Sequence, residues 1–256
     1  MSSDAPSHAC CTLPPVVRDT DSYQPKGSYI SFEHTDKEKF SKDPITKAYV
    51  TGPTDTGKTI IIIFDIFGQW LTLVFDPSYY KQTVQGADLL AETVKAKVIM
   101  PDFFRDKPMD LNLYPPTTDE ARKTIQTFFQ VQGNFGDRIP ELLDIAKGER
   151  NNGVEKLGLI GYCWGKEQGS SPLSAQLTRL LRISTLGGKM AALANATGEF
   201  DATASVHPAM WARADGENLK APVAVFPSKD ENQEEIDAFM EIANKKPFAS
   251  KNKHKR

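Results

Sequence analysis

The sequence predicts an α/β protein: one mostly parallel sheet with helices on both faces. Three observations carry this. Strand-like and helix-like stretches alternate from Ala48 to Lys246, the order that builds parallel sheets from strand–helix–strand units. "TIIIIFDIFG" (Thr59–Gly68) is a continuous β-branched run between turn residues, which suits a strand covered on both faces. "EKLGLIGY" (Glu155–Tyr162) runs directly into a glycine-flanked turn, Gly161-Tyr162-Cys163-Trp164-Gly165, the pattern of a strand that presents a side chain at the sheet's edge.

The elements follow in order. Residues 1–27 are polar and Pro-rich and read as a loosely held arm. "AYVTG" (Ala48–Gly52) is a strand, and Thr59–Gly68 the buried one. In "YYKQTVQGADLLAETVKA" (Tyr79–Ala96), Val84, Ala87, Leu90, Ala91 and Val94 share one side of a helix. "KVIMPDFF" (Lys97–Phe104) is strand and then turn, because Pro101 cannot donate to a ladder. "TDEARKTIQTFFQ" opens on Thr118 and Asp119 as caps and reads as helix, as does "RIPELLDIAKGER" (Arg138–Arg150). "DATASVHP" (Asp201–Pro208) and "APVAVFPS" (Ala221–Ser228) are strands, and "ENQEEIDAFMEIANKK" (Glu231–Lys246) is a final helix. No internal repeat is visible.

Composition narrows the function classes. Lys plus Arg number 31 against 33 Asp plus Glu, a net charge of −2, so no global field favours nucleic acid or an anionic membrane. Three cysteines, with Cys10 and Cys11 adjacent, make no disulfide framework. No basic start with an apolar run opens the chain, and no apolar run approaches the roughly 18 residues of a span. The expectation is a reduced, soluble, cytoplasmic protein with no nucleic-acid or membrane partner.

Two motifs compete for the chemistry. Gly52-Pro-Thr-Asp-Thr-Gly57-Lys58-Thr59 matches the phosphate-binding pattern literally. That pattern needs a helix N-terminus behind it, and here four isoleucines follow. "GPTDTG" also reads as a hairpin turn, and this reading is preferred. In the second motif the glycines flank Cys163. They let strand and helix approach closely, and the N–H of Trp164 can donate to an oxyanion. A thiol needs less activation than a hydroxyl, because some thiolate exists near neutral pH. The plainer alternative is a small buried cysteine in a glycine-rich turn. "VAVFPSKD" adds Asp230 after a later strand, where a hydrolase triad of this architecture keeps its acid.

"FDIFG", "MPDFFR", "GLIGYCWG", "ASVHPAM" and "FPSKDE", in this order, resemble the dienelactone hydrolase family, especially its fungal members. The resemblance covers most of residues 28–250. It implies an α/β-hydrolase-like three-layer sandwich and a Cys–Asp–His triad. It also implies hydrolysis of small carboxylate-bearing esters or lactones through a thioester, with no cofactor or metal. By position, Cys163 is the nucleophile and Asp230 the acid that orients the histidine. Trp164 and Ile66 supply oxyanion N–H groups. Asp65 stands where bacterial members have a glutamate against the resting thiol. Arg105 lies about one residue from the position of a carboxylate-binding arginine. His207 reads either as pocket-lining or as a strand-end residue before Pro208.

The departures are three. Residues 69–78 and 166–187 read as insertions, of the kind a translated intron or an unusual splice form leaves. "SPLSAQLTRLLRIS", in the second, reads as an amphipathic helix, with Leu173, Leu177, Leu180 and Leu181 on one face. The family's last strand, its His-Gly motif and last helix are read as missing, with 251–256 a basic disordered tail. His254 is the one histidine after Asp230 and is not assigned to catalysis. The expectation is therefore a single domain over 28–250, and an impaired hydrolase without its triad histidine. The alternatives are an inactive remnant that binds small carboxylates and, less favoured, a nucleotide-binding protein through "GPTDTGKT". The substrate and the oligomeric state are left open.

Overall fold

In the computed structural model, the residues described are 23–34, 38–40, 44–64, 81–105, 107–110, 113, 116–162, 186–208, 211–227 and 231–254. Among them are eight strands in one sheet. They are β1 (Ser28–Ser31), β2 (Lys47–Thr51), β3 (Lys58–Ile63), β4 (Lys97–Pro101), β5 (Lys156–Tyr162), β6 (Ala202–Val206), β7 (Val223–Phe226) and β8 (Lys253–His254). Their order across the sheet is β1-β2-β4-β3-β5-β6-β7-β8. β1 and β2 pair antiparallel, β2 pairs antiparallel with β4, and every pairing from β4 to β8 is parallel.

The helices are α1 (Lys81–Val94), α2 (Asp119–Val131), α3 (Phe135–Asn151), α4 (Leu186–Asn195), α5 (Arg213–Glu217) and α6 (Gln233–Ala243). Ile61, Ile62 and Ile63 are 0, 2 and 0 % exposed. Successive strand residues point to opposite faces, so this run shows that both faces are covered. Burying each such side chain stabilises the fold by roughly 2–3 kcal/mol. α1 contributes Val84, Ala87 and Ala91 to the main core, α3 contributes Leu142, Ile145 and Ala146, and α4 contributes Met190, Ala191 and Ala194. A second cluster gathers Trp211, Val223, Val225, Ile236, Phe239 and Met240, with the Trp211 and Phe239 rings stacked at 3.9 Å. Asn195 ends α4 with its amide satisfied on both sides. It donates to Thr203 and the Ala221 carbonyl and accepts from the N–H groups of Lys220 and Ala221.

Several expectations are corrected. Lys253 and His254, read as part of a disordered tail, form a two-residue strand: they pair in parallel with Ala224–Val225, and Asn252 accepts the Val223 N–H. A sheet edge offers backbone groups that any sequence can meet, so basic residues here form a strand rather than a tail. The turn after β2 is not a hairpin, because β4 lies between β2 and β3. Gly52 and Gly57 both take positive φ there, which costs a glycine little. The N-terminal arm is tied down from Tyr23 onward: the Tyr23 hydroxyl and the Lys26 N–H both donate to buried Asp88. β1 and α5 were not foreseen. α3 starts three residues early, at an Asn134 cap that accepts the Gly136 N–H. Pro140 is the sixth residue of this helix, and its missing N–H takes the bond to the Gly136 carbonyl out of the ladder. The second insertion was expected to run to residue 187, but Leu186 and Gly187 already belong to α4. Residues 69–78 and the predicted helix over 171–184 lie outside the described residues.

Candidate active site at the carboxyl edge of the sheet

Chain order reverses direction across the sheet at β3, which has β4 on one side and β5 on the other. In open α/β sheets, ligands bind beyond the carboxyl ends of the strands at such a point. β3 and β5 finish side by side, with Ile63 opposite Gly161. β6 finishes beside β5, with Val206 opposite Tyr162, and β7 beside β6, with Phe226 opposite Val206.

The end of β5 meets the start of α4 backbone to backbone. A Cβ added to Gly161 would lie 2.0 Å from the Gly187 carbonyl oxygen, and one added to Gly187 would lie 2.0 Å from the Tyr162 carbonyl oxygen. Only glycine permits this approach. The strand and helix that flank the Cys163 turn are thus in contact, although 23 residues of chain (163–185) separate them in the sequence. The start of α4 is fixed from a second side. The Gly188 carbonyl lies within hydrogen-bond reach of the Ser205 hydroxyl (3.3 Å) and the Trp211 indole N–H (3.4 Å). Lys189 is held by buried Asp215 at 2.5 Å, and Asp215 also accepts the Ala212 N–H.

His207 follows β6 directly. Its N–H donates to the Phe226 carbonyl at 2.8 Å, and its φ is +57°. Its Nε2 is 3.0 Å from Glu231 Oε1; the histidine side chain is 28 % exposed and the glutamate 4 %. That contact has ion-pair distance but not hydrogen-bond alignment. Glu231 was missed in the sequence reading. Its position beside Asp230 in "SKDEN" was the available signal.

Of the other sequence-predicted site residues, Asp65, Ile66, Cys163, Trp164 and Asp230 lie outside the described residues. Arg105 is described, and its guanidinium is buried. It bonds the Phe103 carbonyl and Glu141 Oε1, the latter at 2.6 Å. Arg138 reaches the other Glu141 oxygen at 2.5 Å. Burial pushes the Glu141 carboxyl up from its ordinary range, and Arg105 and the Ile45 N–H pull it back in part. This packing gives the proposed carboxylate-binding role of Arg105 no support.

"GPTDTGKT" has no helix behind it. Lys58 is exposed at the start of β3, and the Thr59 hydroxyl donates to Glu149 at 2.9 Å. These residues sit at the amino end of β3, away from the edge described above. Among the described residues, no group of three or more His, Cys, Asp or Glu is placed to hold a metal. No described helix is long and apolar enough to cross a membrane.

No protein-family model matches the chain. It is 29 % identical over 205 residues to an uncharacterized AIM2 family protein of Schizosaccharomyces pombe, a match covering 79 % of this chain and 69 % of that one. It is 29 % identical over 161 residues to a carboxymethylenebutenolidase homolog of Xenopus tropicalis, covering 62 % of this chain and 54 % of the relative. For the Homo sapiens carboxymethylenebutenolidase homolog the figures are 30 % over 127 residues, 46 % and 42 %. The chain thus spans about half the length of these last two relatives. Its fold is similar to that of a cold-adapted esterase from an Arctic intertidal metagenomic library, with a TM-score of 0.52 at 9 % identity over 91 % of this chain and 88 % of that one. By sheet order the chain has the fold of the α/β-hydrolases, and in sequence it is similar to AIM2 family proteins and to carboxymethylenebutenolidase (dienelactone hydrolase) homologs.

Proposed function

We propose that this protein hydrolyses ester or lactone bonds of small carboxylate-bearing molecules, with Cys163 as the nucleophile. The observation that supports this best is the contact between Gly161 and Gly187. A strained strand-to-helix turn needs its flanking elements this close to present a side chain above the sheet, and here they stay close across a long intervening segment. The named relatives and the esterase-like fold point the same way. In this reading the Cys163 thiolate adds to the substrate carbonyl. The N–H groups of Trp164 and Ile66 meet the charge that develops on oxygen. Asp230 orients an imidazole, and Asp65 lies against the resting thiol.

The test compares the full chain with Cys163→Ser and Cys163→Ala on p-nitrophenyl acetate and on dihydrocoumarin. Activity should fall by about 10³–10⁶ in both variants. Acid-quenched wild type should carry an acetyl group on Cys163 by mass spectrometry. Unchanged turnover in Cys163→Ala would rule out the cysteine mechanism.

A further inference from the structure

At the amino edge of the sheet, opposite the candidate active site, the chain surrounds a hollow of about 640 Å³. Lys156 at the start of β5, Ala202 at the start of β6 and Pro222 just before β7 line it. Its size falls within the range of about 300–1,000 Å³ usual for small-molecule sites. We propose that this hollow binds an amphipathic anion: a small molecule with an apolar body and a carboxylate, sulfonate or phosphate head. This role is independent of the hydrolase reading above, because the chemistry of such folds sits at the carboxyl edge.

The floor is apolar. Phe200 is 2 % exposed and belongs to the main core cluster. Phe248, on the other wall, packs against the second cluster. The hollow therefore lies at the seam between the two clusters. A hydrocarbon body seated there leaves water, which is worth roughly fourfold in affinity for each methylene buried.

The rim is cationic. Lys156, Lys220 and Lys251 all line the hollow, against one carboxylate, Asp201. Asp201 is already engaged. It accepts the Leu157 N–H and an Arg150 guanidinium N–H, both at 2.8 Å, and lies 3.6 Å from Lys156 Nζ. The Lys220 ammonium reaches only a neutral acceptor, the Thr197 carbonyl at 3.3 Å. Among the described residues, neither Lys220 nor Lys251 is paired with a carboxylate. The local field is thus positive although the whole chain carries a net charge of −2. Lysine ammoniums act as point charges with rotatable donors, so they suit any of the three head groups.

The walls are built in advance of a ligand. The Asn195 side chain, fully buried at the end of α4, holds the backbone of Lys220 and Ala221 through three hydrogen bonds. Asn252, next to Lys251, accepts the Val223 N–H and donates to the Ala243 carbonyl. Arg150 ties Glu199 and Asp201, on either side of Phe200, to the end of α3. A site whose backbone is fixed loses little entropy when it is filled.

The experiment is calorimetric titration of the full chain with octanoate, with hexanoate, acetate and octylamine beside it. Octanoate should bind one per chain, hexanoate about tenfold more weakly, and acetate and octylamine not measurably. Higher salt should weaken octanoate binding, since the ion pairs are exposed. Lys220→Ala and Lys251→Ala should each weaken it about two- to fivefold, and Lys220→Glu about tenfold or more. Ala202→Trp should abolish it by filling the hollow. Positions 202, 220 and 251 are exposed, so the melting temperatures of these variants should stay near that of wild type. Lys123→Ala, at an exposed position on α2, should bind like wild type. The idea fails if octanoate does not bind at up to about 10 mM, or if octylamine binds as well as octanoate. It fails equally if Lys220→Glu and Ala202→Trp bind like wild type, or if Lys123→Ala weakens binding as much as Lys220→Ala does.

Discussion

Gly161→Ala isolates the contact on which the candidate site depends. The added methyl would lie 2.0 Å from the Gly187 oxygen, 2.5 Å from its carbonyl carbon and 3.1 Å from the Ala191 Cβ. A carbon–oxygen contact needs more than 3 Å, so the two backbones must part by about 1 Å; overpacking of this kind costs typically 1–3 kcal/mol and occasionally more. The clash is with backbone on both sides and no rotamer can relieve it, so the cost should fall near 3 kcal/mol. For a chain of this size that lowers the melting temperature by about 6–12 °C. A displacement of about 1 Å at residue 163 should also cost about 10²-fold in ester turnover. Gly86→Ala and Gly148→Ala serve as controls. Both glycines are helical and an added Cβ meets nothing within 4 Å, so each change should stabilise by roughly 0.5–1 kcal/mol. Scanning calorimetry and p-nitrophenyl acetate kinetics on the three variants decide the matter. If Gly161→Ala melts and turns over like wild type, β5 and α4 are not in contact and the proposed turn loses its support.

Glu141→Ala leaves Arg105 and Arg138 buried without their shared carboxylate, which should cost about 3–5 kcal/mol; a shift in urea midpoint worth under 1 kcal/mol would contradict the buried network. For Asp201, partial burial opposes the charge, but the Leu157 N–H and Arg150 outweigh it and hold the carboxyl below its ordinary range. Its folded value lies below its unfolded one, so the stabilisation is present above about pH 4 and is lost as pH falls through the folded value. The carboxylate is 37 % exposed, so screening keeps this below about 1 kcal/mol. The urea-midpoint gap between wild type and Asp201→Asn should therefore shrink from pH 7 to pH 3, and a gap that stays constant would count against it. ATP with magnesium should leave the melting temperature unchanged, since no helix N-terminus follows Lys58. A rise that disappears in Lys58→Ala would restore the nucleotide reading, because a ligand of the native state must stabilise it.

The sequence by itself determined the alternation of strand and helix, the buried run of isoleucines and the glycine-flanked turn at the end of β5. These are local. Side-chain period, β-branching, caps and glycine act over a few residues and need no knowledge of neighbours. It also pointed to the edge of interest, since one readable strand ends on Tyr162 and two more were read through Val206 to Pro208 and through Phe226 to Ser228. What only the tertiary structure decided is pairing. β4 separates β2 from β3, β1 pairs although three of its four side chains are exposed, and β8 is two basic residues on an edge. Backbone ladders carry such strands, and backbone groups leave no pattern in the sequence. Partnership between side chains was equally hidden. Arg105 is turned to Glu141, 36 residues away. His207 meets Glu231 although 23 residues separate them in sequence, because β6 and β7, the strands that precede them, end in register. Such distances are set by register and packing between elements, which local periodicity cannot encode.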